Sequence, residues 1–216
     1  MFKAVIFDLD GVLIDSEIYW AEVEEKIWRQ LGITDIKQAQ HDVLGLNLDD
    51  TVKLLRQKYR CALSADEIKA PFHEYARYVY GTCQLMPGAL ALLQRIKTGS
   101  IPLAIASSSP NSWIDMFLAR FKLEKMFDFV FSTESMNLPG KPDPAIYLAI
   151  RKQLAVLPEA TVIFEDSQNG FLAAKRSGAR VIAVPDPRWS YGDFSAADLV
   201  ADSLADQRIL QFIGLL

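Results

Sequence analysis

Two cysteines, Cys61 and Cys83, are too few for a disulfide framework, and two reduced thiols in a cytoplasmic protein are the expectation. The two histidines, His41 and His73, stand far from each other and from either cysteine, so a zinc site is not indicated and each is expected to pack or face solvent. No long basic run is present and the net charge is -4, which argues against a nucleic-acid partner. No apolar stretch approaches the roughly 20 residues that span a bilayer, so no membrane association is expected. The N-terminus runs straight into a strand pattern, without the charged region and cleavage site of a signal peptide. Internal repeats and low-complexity tracts are missing too.

What is present is an ordinary globular composition, half hydrophobic and about a quarter charged, over 216 residues. That length allows a core domain with a smaller one attached. The stretch that organises the rest is Phe2 to Leu9 followed by Asp10-Gly11. Ala4 to Phe7 is a short apolar run rich in β-branched and aromatic residues, expected as a strand buried on both faces. Asp8 ends it, and Asp10 lies two residues on, so the two carboxylates are aimed to the same side. Gly11 permits the turn and a close ligand approach. One aspartate here would read as a turn former; two spaced this way read as a nucleophile with an acid/base partner.

From Glu17 the pattern turns helical, with Trp20, Val23, Ile27 and Leu31 recurring at steps of three and four and Gly32 as the stop. Asp15 and Ser16 offer N-caps. A second helix follows Asn47-Leu48-Asp49, and a third starts at Ser64 to Glu67, a capping-box pattern. Three or four helices thus occupy residues 17 to 80. Strands are then expected at Ile101 to Ala106, Phe129 to Phe131, Thr161 to Phe164, Arg180 to Val184 and, weakly, Leu199-Val200. Helices are expected over Ala89 to Ile96, Trp113 to Phe121, from Lys141 through Leu154, and from about Asn169 to Ser177 with Gly178 as the stop.

This alternation predicts an α/β fold: a Rossmann-like, mainly parallel sheet with helices on both faces. The helical block after the first strand is too long for a crossover and reads as an inserted α-helical cap. The expected division is 1–15 with 82–216 as core and 16–81 as cap. Ligands in such sheets sit beyond the carboxyl ends of the strands. Asp8 with Asp10, Ser107, and Glu165 with Asp166 all fall at such ends. So many carboxylates in one cleft need a cation, since two charges about 4 Å apart repel by about 4 kcal/mol at an effective dielectric near 20. Hard oxygen ligands suit Mg²⁺. An aspartate can attack phosphorus, Lys141 can offset the repulsion between two anions, and Ser107 can donate to a phosphate oxygen. Asp10 can protonate the leaving alcohol and then deprotonate water. Taken singly, Ser107 reads as a helix cap, Lys141 as a surface charge and Glu165-Asp166 as helix-capping acids; their joint placement favours the site.

Four stretches carry a resemblance: FDLDGVLIDSE at Phe7 to Glu17, IASSSPN at Ile105 to Asn111, GKPDPAIY at Gly140 to Tyr147, and FEDSQNG at Phe164 to Gly170. Together the chain resembles haloacid-dehalogenase-superfamily phosphatases with a helical cap after the first strand, the group of β-phosphoglucomutase and sugar-phosphate phosphatases. The resemblance implies Asp8 as nucleophile and metal ligand, and Asp10 as acid/base that also gives its backbone carbonyl to the metal. It implies Asp166 as a further Mg²⁺ ligand with Glu165 beside or behind it, and Ser107, Ser108 and Lys141 as holders of the phosphoryl group. An acid at position 10 favours phosphate-ester chemistry over dehalogenation. The mutases carry His, Arg and Lys at the positions of Trp20, Leu48 and Leu44, which are apolar here, so hydrolysis of a small phosphorylated metabolite, a sugar phosphate, is expected over isomerisation. A non-catalytic binding protein is the third reading, disfavoured because nucleophile and lysine are both present. Trp20, Leu44, Asn47 and Leu48 are the candidate substrate-side residues of the cap, with helix packing, or N-capping for Asn47, as their competing roles. Trp113 and Trp189 read equally as core or contact surface. The protein is expected to act as a cytoplasmic monomer.

Overall fold

The structure, a computed structural model, describes residues 2–43 and 46–216. Six strands form one sheet in the order β3-β2-β1-β4-β5-β6, with every neighbouring pair parallel. They are β1 (Ala4–Phe7), β2 (Leu103–Ser107), β3 (Phe129–Ser132), β4 (Thr161–Glu165), β5 (Arg180–Ala183) and β6 (Leu199–Val200). The apolar run at the N-terminus is the central strand β1, and all four of its residues are fully buried. Strand order runs outward one way through β2 and β3 and the other way through β4 to β6. The reversal therefore lies beside β1, where such sheets open a crevice.

Alternation along the strands splits the core in two. Val5, Phe7, Leu103, Ile105, Val162 and Phe164 face one side of the sheet. Ile6, Ala104, Ala106, Ile163, Val181 and Ala183 face the other. The first side is covered by α5 (Ala89–Thr98), α6 (Asn111–Phe121) and α9 (Gln207–Ile213). The second is covered by α7 (Ala145–Leu154) and α8 (Gln168–Arg176). Burying each large aliphatic or aromatic side chain contributes about 1.5–3 kcal/mol, so the sheet holds its strand ends firmly. Phe7 pairs in register with Ile105 and Phe164, and its ring stacks on Phe164 at 4.5 Å. Asp8, the next residue, is thereby delivered level with Ala106 and Glu165.

Between β1 and β2 the chain makes α1 (Ser16–Gln30), α2 (Ile36–Val43), α3 (Leu48–Lys58) and α4 (Ala65–Thr82), the inserted helical cap, whose last helix runs on into the return to the core. Val23, Ile27 and Trp28 of α1 pack with Leu55, Ile68, Phe72 and Val79 in an apolar interior continuous with that of the core. The expected capping box is present: Ser64 Oγ accepts from the Glu67 N–H, and the Glu67 carboxylate accepts from the Ser64 N–H at 2.8 Å. Asn47 caps α3, its Oδ1 accepting from the Asp50 N–H at 2.8 Å. The two connections to the core lie side by side. Ile14 pairs antiparallel with Leu85, the Asp15 N–H donates to the Gln84 carbonyl, and the Met86 N–H donates to the Leu13 carbonyl. Arg120 of α6 donates to the carbonyls of Tyr80, Thr82 and Cys83, satisfying groups that the end of α4 leaves open.

Three local readings change. Asp15 stands at the N-cap of α1 but makes no capping hydrogen bond; its carboxylate accepts from the Gln84 N–H across the two connections. Helix α7 begins at Ala145, after Lys141. A residue before proline is biased away from helical geometry, and Lys141-Pro142 is followed by a second proline, Pro144, at the N-cap. Helix α2 is the fourth of the three or four helices expected over residues 17 to 80, at a position the sequence reading did not name. Among the described residues, no helix is long and apolar enough to cross a membrane.

Candidate active site

Asp8 is nearly buried, and its Oδ1 accepts from the Lys141 ammonium at 2.8 Å. Lys141 is only 2% exposed and spends its other donors on Glu165 Oε1 at 2.6 Å and the Ala106 carbonyl at 3.2 Å. A lysine in the loop before α7 thus reaches back to the ends of β1, β2 and β4 at once. Glu165, fully buried, also accepts from the Tyr147 hydroxyl of α7. Asp166 follows it and packs where a side chain at Gly11 would stand: a Cβ there would lie 2.2 Å from Asp166 Oδ2. With φ at +77°, Gly11 also makes a turn that other residues resist.

One ammonium therefore faces three buried carboxylates. Burial pushes the Asp8 carboxyl up to about 7; Lys141 pulls it down, while Glu165 and Asp10 push it further up. Asp166 is raised well above the usual carboxylate range by burial, then by the charges of Asp8 and Glu165. Lys141 is held well above its ordinary value by Asp8 and Glu165, against the opposing effect of burial. Oxygen atoms of Asp8, Glu165 and Asp166 lie within 4.8 Å of one another, a hard, all-carboxylate donor set that can hold a divalent metal ion. Burial and the neighbouring carboxylates together disfavour the ionised forms of Asp8 and Asp166, and such an ion would offset both.

A measurable consequence follows from linkage. A carboxyl whose folded-state value lies above its unfolded one favours the fold while protonated, and that contribution fades as pH rises from 3.8 through about 7. The metal must displace those protons, so its affinity grows over the same window. The gain in thermal midpoint on adding excess Mg²⁺ to chelator-treated protein is expected to be near zero at the acid end and several degrees above the shifted value. A gain independent of pH would contradict this account of the cluster.

Asp10 lines the same cavity as Asp8. Its Oδ1 accepts from Ser16 Oγ at 2.6 Å and from the Tyr80 hydroxyl at 2.8 Å, and its Oδ2 accepts from Ser109 Oγ at 2.6 Å. Ser16 begins α1, Tyr80 lies in the last turn of α4 and Ser109 belongs to the core, so the first and last helices of the cap and the core meet at this one carboxylate. Ser107 is buried and accepts the Ser109 N–H on its Oγ at 3.0 Å; it does not cap α6, whose N-cap is Pro110. Ser108 Oγ is buried with no protein partner and lines the cavity, a placement suited to a phosphate oxygen.

The cap side of the cavity is formed by Glu17, Trp20 and Glu24 of α1 with Leu46 and Leu48. Burial, with the charges of Asp10, Glu24 and Asp8, pushes Glu17 up to about 8. Trp20 lies 5.1 Å from Trp113 between ring centroids, and Trp113 donates to His73 Nδ1 at 3.3 Å. Trp113 is thus core at the seam between cap and sheet domain, and His73 is an exposed residue that meets Trp113 edge-on. Asn47 lines a neighbouring groove with Ser108 and Gly140 and not the cavity that holds Asp8. Leu44 lies outside the described residues. Glu17, Glu24, Ser109, Tyr80 and Trp189 are additional residues around the site. Glu17, Trp20 and Glu24 share one face of α1 at steps of three and four, a spacing that could have drawn attention to the two acids. Trp189 had no local signal.

Residues 5–184 match the family of haloacid dehalogenase-like hydrolases. The chain belongs to this family. The hydrolase is 31% identical over 212 residues to a probable pseudouridine-5'-phosphatase of Drosophila melanogaster, covering 96% of this chain and 92% of the relative. It is 35% identical over 178 residues to a phosphorylated carbohydrates phosphatase of Thermotoga maritima, covering 82% of each. The crystal structure of CbbY from Rhodobacter sphaeroides in complex with phosphate superposes with a TM-score of 0.82 at 27% identity, covering 95% of the hydrolase and 96% of CbbY. Fold, cap position and acid cluster together support phosphatase activity on a small phosphorylated metabolite.

Proposed function

We propose that the protein is a Mg²⁺-dependent phosphomonoester hydrolase acting on a sugar or polyol monophosphate through an aspartyl-phosphate at Asp8. The observation that carries this reading is the Lys141 ammonium fixed 2.8 Å from Asp8 Oδ1 in a cavity shared with Asp10. Asp8 Oδ attacks phosphorus, and the bond to the leaving oxygen breaks. Asp10 gives that oxygen its proton, so the product leaves as an alcohol. Water then attacks the aspartyl-phosphate, Asp10 takes its proton, and Asp8 is regenerated as inorganic phosphate departs. Lys141, Ser107 and Ser108 hold the phosphoryl oxygens. Asp8, the Asp10 backbone carbonyl and Asp166 would hold the Mg²⁺, with Glu165 fixing Lys141 behind them. The ion supplies positive charge to the phosphoryl oxygens and the nucleophile when bound.

The carbohydrate and nucleoside phosphatases among the relatives support a hydroxylated leaving group. A mutase must grip a second phosphate, and the described residues on the cap side of the cavity include no cation, which favours hydrolysis. Phosphate release should be measured with Mg²⁺ across sugar monophosphates, sugar bisphosphates, nucleotides and small phosphorylated acids. Release from monophosphates, abolished by chelator, is the expected result. Isomerised product without free phosphate would overturn the hydrolase reading in favour of a mutase, and inertness throughout would favour a binding protein.

A further inference from the structure

We propose that Glu24, with Glu17 and Trp189, selects the leaving group. The two carboxyl groups accept hydrogen bonds from its hydroxyls, Trp20 covers its carbon face, and a leaving group with an anion of its own is rejected. This rests on the phosphatase reading above and adds which residues read the substrate and what they exclude.

Three observations carry it. First, Glu17, Trp20 and Glu24 fall at i, i+3 and i+7 of α1, one side of the helix, and all three line the cavity that holds Asp8 and Asp10. The adjoining face of α1 is occupied by Val23, Ile27 and Trp28, buried in the cap interior, so the helix cannot turn the acids outward without exposing that core. Second, Trp189, in the loop between β5 and β6, lines the same cavity, and its buried indole N–H has no protein partner. A buried donor left open calls for an acceptor, and a substrate hydroxyl oxygen meets that need while the hydroxyl's own proton goes to a carboxylate. Third, the charge is one-sided. Among the described residues lining this cavity the one cation is Lys141, already engaged by Asp8 and Glu165. A transferred phosphate has Lys141 and the metal to meet it; a second phosphate or a carboxylate on the leaving group would find no free cation among these residues, beside the acids Glu17 and Glu24.

Trp20 suits a sugar or polyol for a separate reason. It is braced at 5.1 Å by Trp113 and at 6.5 Å by Tyr80, which makes it a rigid apolar wall beside two acceptors. A flat apolar surface flanked by carboxyl groups matches a molecule whose edge is hydroxyl and whose face is C–H.

The test compares kcat/KM with Mg²⁺ for a hexose monophosphate, a hexitol monophosphate, phosphoglycolate and an aryl phosphate. For Glu24→Gln, the ratio of hexitol to aryl phosphate turnover is expected to fall about 10- to 100-fold, the effect of weakening a charged hydrogen bond. For Glu24→Lys, the ratio of phosphoglycolate to aryl phosphate is expected to rise at least about tenfold. Circular dichroism and thermal midpoint establish that both variants fold. An active wild type whose ratios do not move in either variant would overturn this proposal alone. A wild type inert towards all four substrates would overturn the phosphatase reading, and this proposal with it.

Discussion

Replacing Asp8 with Asn should reduce metal-dependent phosphate release by a factor on the order of 10⁴ or more. The amide keeps the shape of the side chain and can still accept from Lys141, so the loss is chemical: a neutral amide does not attack phosphorus. Stability should move the other way. Asp8 is one of three buried carboxylates around a single ammonium, and its ionised form is held unfavourably by burial and by Glu165. Asp8→Asn removes that charge, so the metal-free variant should unfold at a temperature no lower than wild type, and Mg²⁺ should raise its midpoint less. Phosphate release and thermal unfolding, each with and without chelator, read both halves. Residual hydrolysis within about tenfold of wild type would remove Asp8 from the nucleophile role.

The second large effect is on folding. Lys141→Met should destabilise the protein by about 3–5 kcal/mol, the usual result of leaving buried charges without their partner. Lys141 bridges Asp8 and Glu165, and Glu165 is fully buried, where it also accepts from Tyr147 and Ser167. For a chain of this length, that loss corresponds to a fall in midpoint on the order of 10 °C. The double variant Lys141→Met with Glu165→Gln removes the orphaned charge and should recover most of the stability. It should recover none of the activity, because Lys141 is then still missing from the phosphoryl site. Denaturant unfolding separates the two variants. A single variant as stable as wild type would mean that Lys141 is not holding the carboxylates in place.

The strands were legible because their physics is local. β1, β2 and β4 are short runs buried on both faces, and such runs are apolar between their ends. Carboxylates and a serine at their ends stand out against that background, which is why Asp8, Ser107 and Asp166 could be named from the sequence. Helix α2 was allowed for in the three or four helices expected but was not placed: it is eight residues long, and of its apolar positions Ile36, Ala39 and Val43 only Ala39 is buried. The start of α7 was placed too early because two prolines end in a helix N-cap here, not in a first helical turn. The shared face of Glu17 and Glu24 on α1 was readable from their spacing, but that it meets Trp189 of the loop after β5 across the cleft is encoded in no local pattern. Tyr80 reaches Asp10 from 70 residues away in the chain.

The paired connections at 13–15 and 84–86 have a consequence for how this protein can change. Because the chain departs from the sheet domain and returns to it through adjacent, mutually bonded segments, the helices between them close a loop whose ends are already together. Closure cost grows only slowly with loop length, so lengthening, shortening or exchanging that insertion asks little of the sheet. Descendants of such a chain can acquire a new diet by rewriting the insertion while the machinery beneath it is inherited intact.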